Sequence, residues 1–500
     1  MTIDPGRRRL VLQTLLPSFG GRTATGDGIG AGTPEAGALT APQWAVDLVA
    51  EGLAGYCLFG YNIASPDQLA ALTAELRAGR TDVLISLDEE GGDVTRLYHR
   101  TGSPYPGNAA LGVVGDFGLT RRIYTAIGQD LRKAGITLNL APTVDVNVAT
   151  DNPIIGTRSF GATAAEVAAH TAAAVVGLQS TGVAACAKHF PGHGATVTDS
   201  HLGLPTVDIS EQLLRDRELH PFATAVAADA KSIMTAHIRV PALTGDQPAT
   251  FSRRVLHDLL RIEFGFAGVV VTDALEMAGA AAYAGGIPQA AVLSLAAGAD
   301  LLCIGADVDH ALVEEVVAQI MAALGDGRLD LARVEEAAAR NAELAAWTQG
   351  TFPTEIEPEI GYTAAARAIR VEGSLDGLTN PLVVQLVAGH SIAEGPVPWG
   401  LSPHVAAGQA EQLVADPSDV TAASLAAKAG ERPVVIVGRH IHRSDVARQL
   451  TEALTATHPT IVVDMGWPAT WRPAGVRAFM NTFGASRANG RAAAAALRLA

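Results

Sequence analysis

The segment KHFPGHGATVTDSH, residues 188–201, sets three histidines, a lysine and an aspartate around two glycines and a proline. Groups of this kind hold a metal, activate a nucleophile or pass a proton. Asp199 stands two residues before His201. A carboxylate in that position can accept the Nδ1 hydrogen of the imidazole and raise its basicity, leaving Nε2 to shuttle a proton. The plainer alternative is a solvated loop pair. Gly192, Gly194 and the small residues after them suit a loop able to swing over a substrate. Zinc ligation by His189, His193, Asp199 and His201 is the rival chemistry. Against it, Pro191 and Gly192 break the helix that usually presents two histidines at this spacing. Lys188 would also place a cation beside the metal. No metal and no cofactor are expected.

Further candidates follow apolar runs. VLISLD ends in Asp88, GVAACAKHF in Lys188 and His189 before its last residue, SIMTAH in His237, and VVVTD in Asp273. A charge placed directly after buried apolar residues is costly unless it is paired or lies at an open mouth. Asp273 can attack an electrophilic carbon, as in retaining glycoside cleavage, or can cap the following helix. Arg96 in GGDVTRL and Arg158 in DNPIIGTRSFG can donate to hydroxyl, amide or carboxylate oxygens; each alone also reads as an ordinary surface arginine. No glycine pattern of the phosphate-cradling kind occurs.

The elements that must position these groups are legible as apolar runs at 10–16, 55–60, 83–88, 136–146, 182–190, 232–238, 268–275 and 299–305. Segments with helical spacing, such as SPDQLAALTAELRAG and AAEVAAHTAAAVVGLQSTG, lie between most of them. Continuous rather than alternating apolar strands imply a parallel sheet covered on both faces. Eight of them fit a (β/α)8 TIM-type barrel, whose active face is the C-terminal end of the strands. An open doubly wound sheet is the competing arrangement. The helix DLARVEEAAARNAELAAW closes a domain spanning 1–347, and the proline-containing acidic stretch 348–361 reads as a linker. The runs PLVVQLVAG, PVVIVGR and TIVVDMGWP then indicate a smaller parallel α/β sandwich domain over 362–500. The fold class is thus α/β.

Composition narrows the function. A formal charge of -15 on 500 residues disfavours nucleic acid or an anionic membrane as partner. Cys57, Cys186 and Cys303 lie inside apolar runs and read as buried small hydrophobes. The basic N-terminal stretch precedes an apolar run that is short and broken by Gln13, so no signal peptide is expected. No apolar run approaches the ~20 residues needed to span a bilayer. A cytoplasmic location is expected.

Together these segments resemble the β-N-acetylglucosaminidases of glycoside hydrolase family three. KHFPGHGATVTDSH is similar to the signature of that group. DEEGGDVTRL, APTVDVN, IIGTRSFG, MTAHIRVPAL with PATFS, and VVVTDALEM resemble its other blocks, in the same order, across most of residues 10–350. The C-terminal part, with FMNTFGAS, resembles the second domain of two-domain members. The resemblance implies a barrel and a retaining mechanism. Asp273 would be the nucleophile of a covalent glycosyl-enzyme intermediate, His201 the acid/base and Asp199 its partner. Asp88, Arg96, Arg158, Lys188 and His189 would bind the N-acetylglucosamine ring. His193 has no counterpart. Asp93 stands where the family commonly has arginine.

The implied function is release of terminal, non-reducing N-acetylglucosamine from peptidoglycan-recycling fragments or chitin oligosaccharides, with a small carbohydrate as sole partner. A histidine repels an incoming anion less than a carboxylate does, so phosphate in place of water, giving a phosphorylase, is the alternative. An inactive sugar-binding relative is the alternative of another class; its lack of any need for Asp273, Asp199 and His201 counts against it.

Overall fold

A computed structural model describes residues 4–20, 39–198, 200, 203–306, 308–352 and 357–500. The chain forms two compact units that interleave along the sequence. The first comprises 1–90, 120–155 and 162–356; the second comprises 91–119, 156–161 and 357–500.

At the centre of the first unit lie β1 (Leu15–Leu16), β2 (Gly55–Cys57), β3 (Leu84–Leu87), β4 (Leu138–Asn139), β5 (Ala184–Phe190), β6 (Ser232–Thr235), β7 (Val269–Val271) and β8 (Leu302–Cys303). Strands β2 to β7 pair in sequence order, all parallel. Val271 bridges to Leu301 beside β8, and β8 pairs in parallel with β1. The N–H groups of Ala54 and Cys57 donate to the carbonyls of Leu12 and Pro17, which closes the ring between β1 and β2. The result is the expected (β/α)8 barrel. Leu84, Leu138, Ala184, Cys186, Met234, Val269, Leu301 and Cys303 share one buried cluster, the filled interior typical of such barrels.

Local chemistry sets the helices between the strands. Ser65 caps Pro66–Leu76 by accepting the Gln68 N–H at 3.2 Å, with Pro66 in the first turn. Leu69, Leu72 and Leu76 then bury one stripe of that helix. Thr163 and Asp330 cap Ala164–Gln179 and Leu331–Trp347 in the same way. The run 10–16, expected as strand, is divided: Asp4 caps the helix Pro5–Leu12, a turn follows, and only Leu15–Leu16 is extended. The first residues of the expected linker pack on the first unit, where Phe352 lies 5.5 Å from Trp347 and beneath the Arg132 guanidinium.

The second unit holds a six-stranded sheet in the order β9 (Arg370–Gly373), β14 (Ala478–Asn481), β13 (Thr460–Asp464), β12 (Val434–Gly438), β10 (Leu382–Leu386), β11 (Glu411–Ala415). The expected all-parallel sheet is mixed, because edge strand β9 runs antiparallel to β14. Alternate residues of the same strands enter two cores, Val434 and Ile436 on one face and Val435 and Val437 on the other. Burial of both faces explains the uninterrupted apolar runs.

At the N-terminal end of the barrel, Asp300 is fully buried and accepts from Arg261, Arg333 and Arg340. Removing one member of a buried ionic cluster leaves uncompensated charge. Asp300→Ala is expected to lower the unfolding free energy by about 3–5 kcal/mol, read from the midpoint of urea unfolding.

Candidate active site

The segment after β5 is organised by a residue from the segment after β4. Asp145 is fully buried. Its Oδ1 accepts the N–H of His189 at 3.2 Å and of His193 at 2.7 Å, while Oδ2 lies 2.7 Å from His189 Nδ1. A carboxylate can only accept here, so Nδ1 carries the proton. Burial works against the charge of Asp145, but the field and hydrogen bond of His189, with His193 adding, prevail and hold its carboxyl below the ordinary range. His189 is thereby oriented with Nε2 on the ring edge away from Asp145.

His193, which had no assigned role, ties the loop together. Thr196 donates its hydroxyl hydrogen to the His193 carbonyl at 3.0 Å, so His193 Nδ1 is the donor in its 2.7 Å contact with Thr196 Oγ1. In the neutral ring Nε2 then accepts from Ser200 Oγ at 3.1 Å. Ser200 sits between Asp199 and His201; these two, the proposed dyad, lie outside the described residues. The glycines expected to make this loop mobile serve close packing instead. A Cβ on Gly194 would fall 1.9 Å from the Val146 carbonyl oxygen, and one on Gly192 would fall 2.7 Å from Glu218 Cβ.

Lys188, on β5, is buried and pairs with Asp88 at 2.6 Å and Glu90 at 2.8 Å. Asp88 follows β3 directly, and Asn139 of β4 fixes that turn by bonding both the N–H and the carbonyl of Glu89. Asp273 follows β7 and is half-buried, with Oδ1 accepting the Ala274 N–H at 2.8 Å. His237 braces this segment: Nε2 donates to the Ala274 carbonyl at 3.0 Å, and Nδ1 meets Thr250 Oγ1 at 2.8 Å. The acid groups converge. Burial raises the Cys186 thiol to about 12, with Asp88 and Asp273 both adding to the rise, and both also act on Cys303. Asp88, Lys188, His189 and Asp273 therefore share the C-terminal end of the barrel.

Arg96 and Arg158 belong to the second unit. Arg96 donates to the carbonyls of Ala393 at 2.6 Å and Glu394 at 3.1 Å. Arg158 is buried, and its carbonyl accepts from Asn108 at 2.7 Å. Asp93 is a structural anchor of that unit: Oδ1 accepts the Ala485 N–H and Oδ2 the Thr157 hydroxyl, each at 2.7 Å, with Arg439 at 3.5 Å.

Asp145 and Glu218 were not singled out from sequence. APTVDVN displays Asp145, but only the fold shows what it holds. Glu218 lies in a charged stretch, yet its side chain is 0% exposed; Oε1 meets Arg217 at 2.7 Å and buried Oε2 has no hydrogen-bond partner among the described residues. Burial lifts its carboxyl from the ordinary 4.5 to about 7, with Arg217 opposing and Asp145 adding.

A carboxyl whose folded pKa is raised contributes stability below its unfolded pKa and loses it as pH rises through the folded value. The window here runs from 4.5 to about 7. Across it, wild type is expected to lose on the order of 3 kcal/mol of unfolding free energy relative to Glu218→Gln. Urea unfolding at a series of pH values measures this, and parallel profiles would contradict it.

Residues 40–344 match the family model described as glycosyl hydrolase family 3 N terminal domain. Beta-hexosaminidase A of Pseudoalteromonas piscicida is 35% identical over 318 residues, covering 58% of this chain and 53% of that protein. The chain thus spans about half the length of that relative. A beta-hexosaminidase of Methylococcus capsulatus is 38% identical over 252 residues, covering 50% of this chain and 75% of the relative. Among solved structures, a glycoside hydrolase family 3 beta-N-acetylglucosaminidase from Paenibacillus sp. FPU-7 superposes with a TM-score of 0.83 at 30% identity, covering 98% of this chain and 96% of that one.

Proposed function

The chain belongs to glycosyl hydrolase family 3 and is a glycosidase, and from that premise we propose that it is a retaining exo-β-N-acetylglucosaminidase. The observation that carries the reading is that Asp273, after β7, and the Asp88–Lys188 ion pair, at the ends of β3 and β5, stand at the same C-terminal end of the barrel. The names of its relatives support the choice of sugar.

Asp273 is the nucleophile. The Ala274 N–H holds Oδ1, and we assign the attack on the anomeric carbon to Oδ2. The bond to the leaving oxygen breaks as that oxygen takes a proton from His201, to which we assign the acid/base role with Asp199 as its partner. His201 then removes a proton from water, the water oxygen attacks the anomeric carbon, and the ester to Asp273 breaks. Asp88, 17% exposed, is the member of its ion-paired trio that reaches the mouth and accepts from sugar hydroxyls. Lys188 holds Asp88 in place through their ion pair, and His189, oriented by Asp145, donates or accepts through Nε2. The substrates are short chitin oligosaccharides or peptidoglycan-recycling fragments ending in β-linked N-acetylglucosamine.

Two kinetic outcomes are expected on aryl β-N-acetylglucosaminides. Asp273→Ala should reduce kcat by roughly 10⁴-fold or more for every leaving group; near-normal turnover would refute the assignment. His201→Ala should depress turnover of basic leaving groups by roughly 10²–10⁴-fold and that of activated aryl groups far less. Equal losses across the series would count against proton transfer. Running the same assays with phosphate identifies the acceptor, because a sugar 1-phosphate product replaces free N-acetylglucosamine if phosphate takes the place of water.

A further inference from the structure

The helix that follows the Asp273 segment, Ala278–Ala284, carries Tyr283, whose side chain is 47% exposed. This ring is not a loose appendage. One face stacks on Phe251, itself buried, with centroids 5.8 Å apart and planes inclined by 26°. Phe251 is held in turn: it ends the turn Ala249–Phe251, and its neighbour Thr250 bonds His237, the residue that braces Ala274. A chain of contacts thus fixes the Tyr283 ring relative to Asp273, while its second face looks outward. Beyond it the helix ends in open space, since a Cβ on Gly285 would meet nothing within 4 Å.

The same helix touches the loop that bears the proposed acid/base. The Gly279 N–H approaches the Ser200 carbonyl at 3.4 Å, and a Cβ on Gly279 would sit 3.0 Å from the Gly203 carbonyl oxygen and 3.3 Å from His237. Tyr283 lies four residues after Gly279, hence on the same helix face and about 6 Å further along the axis. An acid/base protonates the leaving oxygen, so the leaving group departs on its side. One sugar ring is about as long as one helical turn.

We propose that Tyr283, backed by Phe251, is a specificity-determining platform on which the sugar ring of the leaving group stacks. This rests on the glycosidase reading above and extends it to the second sugar. The apolar C–H face of a pyranose matches an aromatic face, and the rigid backing means little freedom is lost on binding. Val197, 71% exposed on the loop, adds further apolar surface exposed to solvent. The charged pair near this rim, Arg239 with Asp246 at 3.3 Å, is largely solvated, so stacking rather than ion pairing is the recognition available at the ring.

The test compares two substrates with the same terminal sugar: N,N′-diacetylchitobiose, whose leaving group is a pyranose, and β-N-acetylglucosaminyl fluoride, whose leaving group has no ring. Tyr283→Ala should lower the ratio of kcat/KM for disaccharide to that for fluoride by about tenfold, mainly through KM, and Tyr283→Phe should restore the ratio. Equal losses on both substrates, no change in the ratio, or failure of Tyr283→Phe to restore it would each overturn the proposal. Turnover of the fluoride by Tyr283→Ala reports that the variant is folded. Wild-type protein inactive on both substrates would overturn the hydrolase reading and this inference with it.

Discussion

Asp145 is a full negative charge with no access to water, and such a charge persists only if the surrounding groups satisfy it. Three donors do so: the backbone N–H and imidazole of His189 near the end of β5, and the backbone N–H of His193 just after it. That requirement shapes the site. It fixes which His189 nitrogen faces outward and pins the backbone of His193. Through the contacts of His193 with Thr196 and Ser200, it also sets the path of the chain into the next loop. Gly194 completes the arrangement, because only a residue without Cβ can lie against the Val146 carbonyl. His193 thus orients the chain, while His189 presents Nε2 away from Asp145.

The barrel separates chemistry from stability by its two ends. At the C-terminal end Asp88, Glu90, Lys188 and Asp273 stand above a layer of buried thiols, and their fields are strong because little water lies beneath them. At the N-terminal end Asp300 and three arginines neutralise one another and hold helices to strand ends. Both clusters are charged and buried. Only the first leaves acid groups at an opening, which is where conserved chemistry in this architecture is built.

Much of this was legible from residues alone. The eight barrel strands were visible because strands covered on both faces have no room for polar alternation. The N-terminal run LVLQTLL misled because five of its seven residues are apolar; the discriminating signal was Asp4 with Pro5, a helix start just before it. In the second unit, RVEG and EQLVA escaped notice as strands because they lie at sheet edges: RVEG is exposed throughout and EQLVA exposes Gln412 and Val414, so no apolar run forms. That residues 91–119 and 156–161 pack with the C-terminal segment has no local signature, since their anchors, Asp93 with Ala485 and Arg96 with Ala393, join residues hundreds of positions apart. The same holds for Asp145 and Glu218. Nothing in a sequence window reports that a carboxylate is sealed from water.

The central claim is that the Asp273 carboxylate bonds to the sugar, and trapping that bond tests it most directly. Incubation with a 5-fluoro-N-acetylglucosaminyl fluoride, which loads the enzyme quickly but turns over slowly, followed by digestion and mass spectrometry, locates the adduct. The expected result is one fluorinated N-acetylhexosamine on Asp273, lost on prolonged incubation as activity returns. An adduct on Asp88 or Glu90, or steady turnover with no adduct at any carboxylate, would contradict it.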